Sequence, residues 1–175
     1  MQALASISRF LARICEFVGG VSLVIIVLVT IADVITRYLF KLTMGDFGFT
    51  IKGTVEIVSY MMFFALLAAF AAYVERSQVI VDVFTQKMPK HIKGYMMGIF
   101  MVGFFALGVI FVWGLYESAL DAKEFGKTTQ DLRISMTPIF AFGSFFSALL
   151  AIRALIESIN IFRTGEFYDA EETGA

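Results

Sequence analysis

The chain is poor in the residues that build cross-links and metal sites. Its 175 residues include one cysteine and one histidine, so an internal disulfide is impossible, and zinc or bis-histidine haem sites lack their ligands. Only 17% of the residues are charged, against roughly 25% in an ordinary soluble domain. The net charge of −1 leaves no basic excess for a nucleic acid backbone. We therefore expect no metal, no cofactor and no nucleic acid partner.

Apolar residues make up 59% of the sequence, and the mean hydropathy is +0.82. This composition excludes an ordinary soluble globule. A membrane-spanning helix needs about 20 mainly apolar residues, and four runs meet or approach that length: 17–36, 57–74, 95–116 and 134–152. Because backbone polar groups in hydrocarbon need internal partners, and alternating strand patterns are missing, we predict helices. The predicted fold is an all-α membrane protein with four transmembrane helices in one domain, 1–163, followed by an acidic, disordered tail, 164–175.

The connectors predict a further helix and an orientation. Between spans two and three, residues 77–88 place apolar side chains on one helical face and polar ones on another, which predicts a short interfacial amphipathic helix. With the N-terminus inside, inner segments carry eight Lys and Arg and outer loops carry six. This bias favours cytoplasmic N- and C-termini.

Three charged residues lie where spans one and two meet their connecting loop. Asp33 and Arg37 are four residues apart and share one helical face, and Glu56 opens span two on the same side of the membrane. Charged residues within spans are functional candidates. We predict a structural charge cluster that fixes the two spans against each other; a cation or proton site is the alternative.

The sequence contains few residues or motifs that could support catalysis. The single histidine, His91, lies beside Lys90 in a basic connector, where we expect it to be solvated rather than to serve as a catalytic base. Neither a phosphate-binding glycine loop nor a dinucleotide fingerprint is present in the sequence. We therefore predict that the protein is not an enzyme.

Small residues form stripes on two of the predicted spans. Such stripes let helix backbones approach closely inside lipid. The stripes predict either helix contacts within the chain or an interface with a partner. They consist of Ala65, Ala68, Ala69 and Ala72 in span two and of Gly143, Ser147 and Ala151 in span four.

The order of these features resembles a known family, the small membrane subunit (DctQ or SiaQ type) of tripartite ATP-independent periplasmic (TRAP) transporters. The residues that carry the resemblance are Arg37, Phe40, Glu56, Gln78, Ile80, Asp82, Pro89 and Leu132, the last within the run Thr129–Ile134. Two positions depart from the family pattern. Gln78 replaces the usual histidine, and Gly53 stands where an aromatic residue is often found.

The resemblance implies a role in the bacterial inner membrane. In this family a periplasmic binding protein delivers an organic acid, and a large membrane subunit (DctM or SiaM type) moves it with a cation gradient. The small subunit is a fixed scaffold in contact with that large subunit and with membrane lipids. The alternative from another class is a self-sufficient four-helix, proton-coupled multidrug exporter. Such an exporter needs an acid deep in its first span, whereas Glu16 precedes the predicted span and Asp33 lies near its end.

Overall fold

The computed structural model describes residues 2–44, 51–74 and 90–164. These residues form four α-helices: α1 (Gln2–Leu42), α2 (Thr54–Tyr73), α3 (Lys90–Glu124) and α4 (Met136–Thr164). All four are long and apolar enough to cross a membrane. The prediction of an all-α membrane protein with four spans is confirmed.

The helices are longer than the predicted apolar runs. Helix α1 has 41 residues, which corresponds to roughly 60 Å at 1.5 Å per residue, about twice the hydrocarbon thickness of a bilayer. The apolar run marks only the part of a helix that lipid can cover, whereas the backbone hydrogen bonds continue through charged residues beyond it. At two boundaries the helices are shorter than the runs: α2 ends one residue before the end of the run 57–74, and α4 begins two residues after the start of the run 134–152.

The four helices form two antiparallel hairpins. Helix α1 packs along α2, α3 packs along α4, and the hairpins meet mainly through α2 and α4. The shared core is apolar and is drawn from all four helices, with Cys15, Ala68, Met97, Met101 and Leu150 at its centre. We call the end of the bundle with the α1–α2 and α3–α4 connections the outer end, after its predicted orientation, and the opposite end the inner end.

The α3–α4 connection, 125–135, is a compact loop with its own hydrogen bonds. Gly126 adopts a left-handed conformation (φ 60°) that ends α3, and the Lys127 amide donates to the Ala122 carbonyl at 3.0 Å; this is the glycine-dependent closure common at helix C-termini. Further along, the Thr129 amide donates to the Ile134 carbonyl at 2.9 Å. The loop is therefore a defined surface at the outer end.

Two predictions lie outside the described residues. The predicted amphipathic helix, 77–88, falls between α2 and α3, and the predicted acidic tail, 164–175, follows α4 except for its first residue, Thr164, which ends that helix. Both stay predictions.

Candidate functional site

Asp33 and Arg37 form an ion pair near the outer end of α1. Arg37 Nε donates to Asp33 Oδ2 at 2.8 Å, one helical turn away. The other carboxylate oxygen of Asp33 accepts a hydrogen bond from the Thr54 hydroxyl at 3.1 Å. Because Thr54 is the first residue of α2, this bond ties the outer end of α1 to the start of α2.

Glu56 has a different set of partners. Its carboxylate accepts hydrogen bonds from the backbone amides of Asp131, at 2.8 Å, and Leu132, at 3.1 Å. The structure thus brings Asp33 and Arg37 together and directs Glu56 to the α3–α4 loop. That these three charges serve structure rather than ion transport stays a prediction.

Gly53 and Leu132 make the second contact between the start of α2 and this loop. Gly53 has φ 77°, a conformation that L side chains rarely adopt. A Cβ atom at this position would lie 2.5 Å from Leu132 Cγ. Both the backbone conformation and the neighbouring side chain therefore favour glycine at position 53.

Gly53→Ala is expected to loosen the loop from α2. The left-handed conformation alone costs an alanine about 1–2 kcal/mol, and displacing Leu132 adds about 1 kcal/mol. Gly126→Ala is the matched control, because Gly126 also has positive φ but no atom of the described residues lies within 4 Å of its Cβ position. Thermal unfolding in detergent should show the larger loss for Gly53→Ala. Equal losses would mean that the Leu132 contact contributes nothing.

An open cleft of about 390 Å³ lies between these elements at the outer end. Among the described residues, its lining consists of Ile51, Gly53 and four charged residues, Asp33, Arg37, Lys52 and Asp131. Two cations and two carboxylates therefore border one opening.

Arg153 has the largest fully buried side chain among the described residues, and by its sequence position it is one of the eight predicted inner positive charges. Its side chain is 1% exposed. The guanidinium donates to the Ala71 carbonyl, to the Ala72 carbonyl at 2.7 Å and to the Ser8 hydroxyl at 3.2 Å. It therefore joins α4 to the last turn of α2 and to α1.

The chemistry of a helix C-terminus explains this placement. Carbonyls in the last turn of a helix have no partner within the helix, and the helix dipole favours a cation there. One sequence pattern could have revealed the burial of Arg153. It follows Leu149 by four residues and Phe146 by seven, so it continues a row of buried positions on α4.

The small-residue stripes mostly face inward. An added Cβ at Gly19 of α1 would lie 3.6 Å from Ala68 Cβ, and one at Gly108 of α3 would lie 3.0 Å from the Ala151 backbone. The stripe members buried within this chain are Ala65, Ala68, Ala72, Gly143, Ser147 and Ala151. Ala69 alone is exposed. These faces make helix contacts inside the chain.

Bulky apolar side chains cover the outward faces of the bundle instead. On α1 these include Phe17, Val24, Leu28 and Ile31, and on α3 they include Ile110 and Trp113, all exposed. An apolar surface of this extent is expected where lipid or another membrane subunit covers a protein.

The comparison with protein families decides the identification. The model described as "Tripartite ATP-independent periplasmic transporters, DctQ component" matches residues 26–164. The chain belongs to the DctQ family. Searches of curated proteins and of solved structures gave no match. The DctQ match covers the outer half of α1 and continues to the last residue of α4, so it includes every contact of the outer end.

The residues that carry the resemblance to this family divide between described and undescribed parts of the chain. Arg37 and Phe40 lie at the outer end of α1, Glu56 lies in the first turn of α2, and Leu132 packs against Gly53. Gln78, Ile80, Asp82 and Pro89 lie outside the described residues.

DctQ proteins are membrane components of transporters rather than a family of enzymes. Within 2–44, 51–74 and 90–164, no three His, Cys, Asp or Glu side chains are grouped so as to hold a metal ion.

Proposed function

We propose that this DctQ protein is the fixed scaffold of a TRAP transporter. In this proposal it holds the large membrane subunit in the inner membrane while that subunit moves an organic acid, delivered by a periplasmic binding protein, with a cation gradient. The family match is the observation that carries the proposal.

The polar groups inside the bundle support a scaffold rather than a transport pathway. Three buried hydroxyls lie against backbone carbonyls: Ser22 at 2.9 Å from Val18, Ser147 at 2.9 Å from Gly143, and Ser158 at 3.5 Å from Gly98. Buried Arg153 is likewise bonded to carbonyls of α2. A substrate or cation crossing the membrane needs polar groups that replace its water. In the described residues these buried groups already serve the bundle itself.

Association with the large subunit tests the scaffold directly. The tagged chain, expressed with the large subunit of its own transporter, should recover that subunit in a fixed ratio after detergent purification. A tagged four-span protein of another family is the specificity control. Recovery no greater than with that control would contradict the proposal.

The proposed orientation has its own test. Four spans and the excess of inner positive residues predict cytoplasmic termini, and the structure groups the α1–α2 and α3–α4 connections at one end. A reporter fused at the C-terminus should be active only as a cytoplasmic reporter, and one inserted at Gly126 only as a periplasmic one. A C-terminal reporter that is active only in the periplasm would contradict the proposed orientation.

A further inference from the structure

The cleft at the outer end combines charge with an apolar surrounding. Arg37 and Lys52 supply two cations, and Asp33 and Asp131 supply two carboxylates. Asp33 is occupied by Arg37 and Thr54. Among described residues Arg37 bonds Asp33 through Nε alone, and its side chain is 62% exposed. Among the described lining residues, the terminal guanidinium nitrogens of Arg37, the Lys52 ammonium and the Asp131 carboxylate are therefore the groups that a ligand can contact.

The surrounding side chains place this cleft at the depth of a membrane interface. Val34 and Phe40 lie one turn before and one turn after Arg37 on the same side of α1, and both are exposed. Val55, at the start of α2, is also exposed. Exposed apolar side chains on both sides of a charged opening suit a ligand with a polar head and hydrocarbon chains.

We propose that this cleft binds the zwitterionic headgroup of an amine-bearing membrane phospholipid. The phosphate is bound by Arg37 and Lys52, and the primary ammonium is bound by Asp131. The acyl chains lie along the exposed apolar side chains of α1 and α2.

The charge balance of the lining selects the headgroup. Arginine and lysine are the usual phosphate-binding side chains, and an ammonium group has three N–H donors for a carboxylate. An anionic glycerol headgroup provides no cation for Asp131, and a choline headgroup has no N–H donor. The volume of about 390 Å³ is within the usual range of small-molecule sites, about 300–1,000 Å³.

Native mass spectrometry of the purified full-length chain in detergent tests the assignment. Phosphatidylethanolamine, phosphatidylglycerol and phosphatidylcholine with identical acyl chains are added separately, and bound lipid is measured. We expect the chain to bind more phosphatidylethanolamine than either of the other two lipids. Soluble glycerophosphoethanolamine, added in equal amount, should bind far more weakly because it lacks acyl chains.

Variants locate the binding within the cleft. Lys52→Gln is expected to lower retention of phosphatidylethanolamine about fivefold. Asp131→Asn should remove the preference for ethanolamine over choline, while its backbone amide can still donate to Glu56. Lys41→Gln is the matched control, because Lys41 is one turn beyond Arg37 on α1 and is not among the described residues that line the cleft. Arg37 is left unchanged because it pairs with Asp33. Equal elution volumes establish that the variants are folded.

Several results would overturn the proposal. One is equal retention in Lys52→Gln and Lys41→Gln. Another is phosphatidylglycerol bound as well as phosphatidylethanolamine, which would reject the zwitterionic headgroup. Equally tight binding of glycerophosphoethanolamine would assign the cleft to a soluble phosphate ester. Because all measurements use this chain alone, they are independent of whether it scaffolds a transporter.

Discussion

Arg153→Met is expected to destabilise the bundle by about 3 kcal/mol, since a buried carbonyl left without a donor costs about 1–3 kcal/mol. The substitution keeps an unbranched, apolar side chain of similar length. It removes the donors that reach the Ala71 and Ala72 carbonyls and the Ser8 hydroxyl. Relief from burying a charge offsets part of the loss. Unfolding in detergent, followed by the fluorescence of the single tryptophan, measures the change.

Arg163→Met is the matched control for this experiment. Arg163 is in the last turn of the same helix and is exposed, so its replacement should change stability by no more than about 0.5 kcal/mol. Arg153→Lys should be intermediate, because an ammonium retains the charge but lacks the planar fork of donors. Equal stability of Arg153→Met and Arg163→Met would show that the buried guanidinium does not hold the inner end.

Gly108→Leu is expected to separate α3 from α4, with a loss of about 3 kcal/mol or of folded protein altogether. A Cβ atom at Gly108 would lie 2.9 Å from Ala151 Cβ and 3.0 Å from the Ala151 Cα and backbone nitrogen. A backbone cannot rotate away as a side chain can, so the two helices must move apart. Yield and elution profile in detergent report the result.

Gly103→Leu separates this packing effect from a general effect of leucine. Gly103 is on the same helix, five residues earlier, and within the part of the chain that the structure describes no atom lies within 4 Å of its Cβ position. Its substitution should leave folding intact. Equal behaviour of the two variants would contradict the close approach of α3 and α4. The isolated chain is used for both variants, because in a complex leucine at position 103 could displace a partner that covers this face.

The helices were predictable because their signal is local. A long apolar run needs no knowledge of its neighbours to be identified as a span, and all four runs are within or nearly within helices. Helix lengths were not predictable in this way, because an apolar run ends at the first charged residues whereas the helix continues through them. The bonding of Asp33 to Arg37 followed from their spacing of four residues.

The partners of Glu56 depend on tertiary structure. Its carboxylate accepts hydrogen bonds from backbone amides 75 and 76 residues later in the chain. Because every residue except proline has a backbone amide, the residue types at those positions do not mark them as partners. Arg153 was missed for a similar reason, since the last-turn carbonyls that bind it exist at every helix end. The stripes of small residues were visible in the sequence, but only the structure showed that Ala68 faces Gly19 and that Ala151 faces Gly108.

Reconstitution into liposomes is the most direct test of the scaffold. Uptake of the organic acid bound by the transporter's own binding protein is measured under a sodium gradient, with that protein outside the vesicles. Vesicles contain this chain, the large subunit, or both. The scaffold account predicts uptake with both subunits and none with this chain alone. Uptake by this chain alone, or proton-coupled drug efflux from the same vesicles, would contradict it.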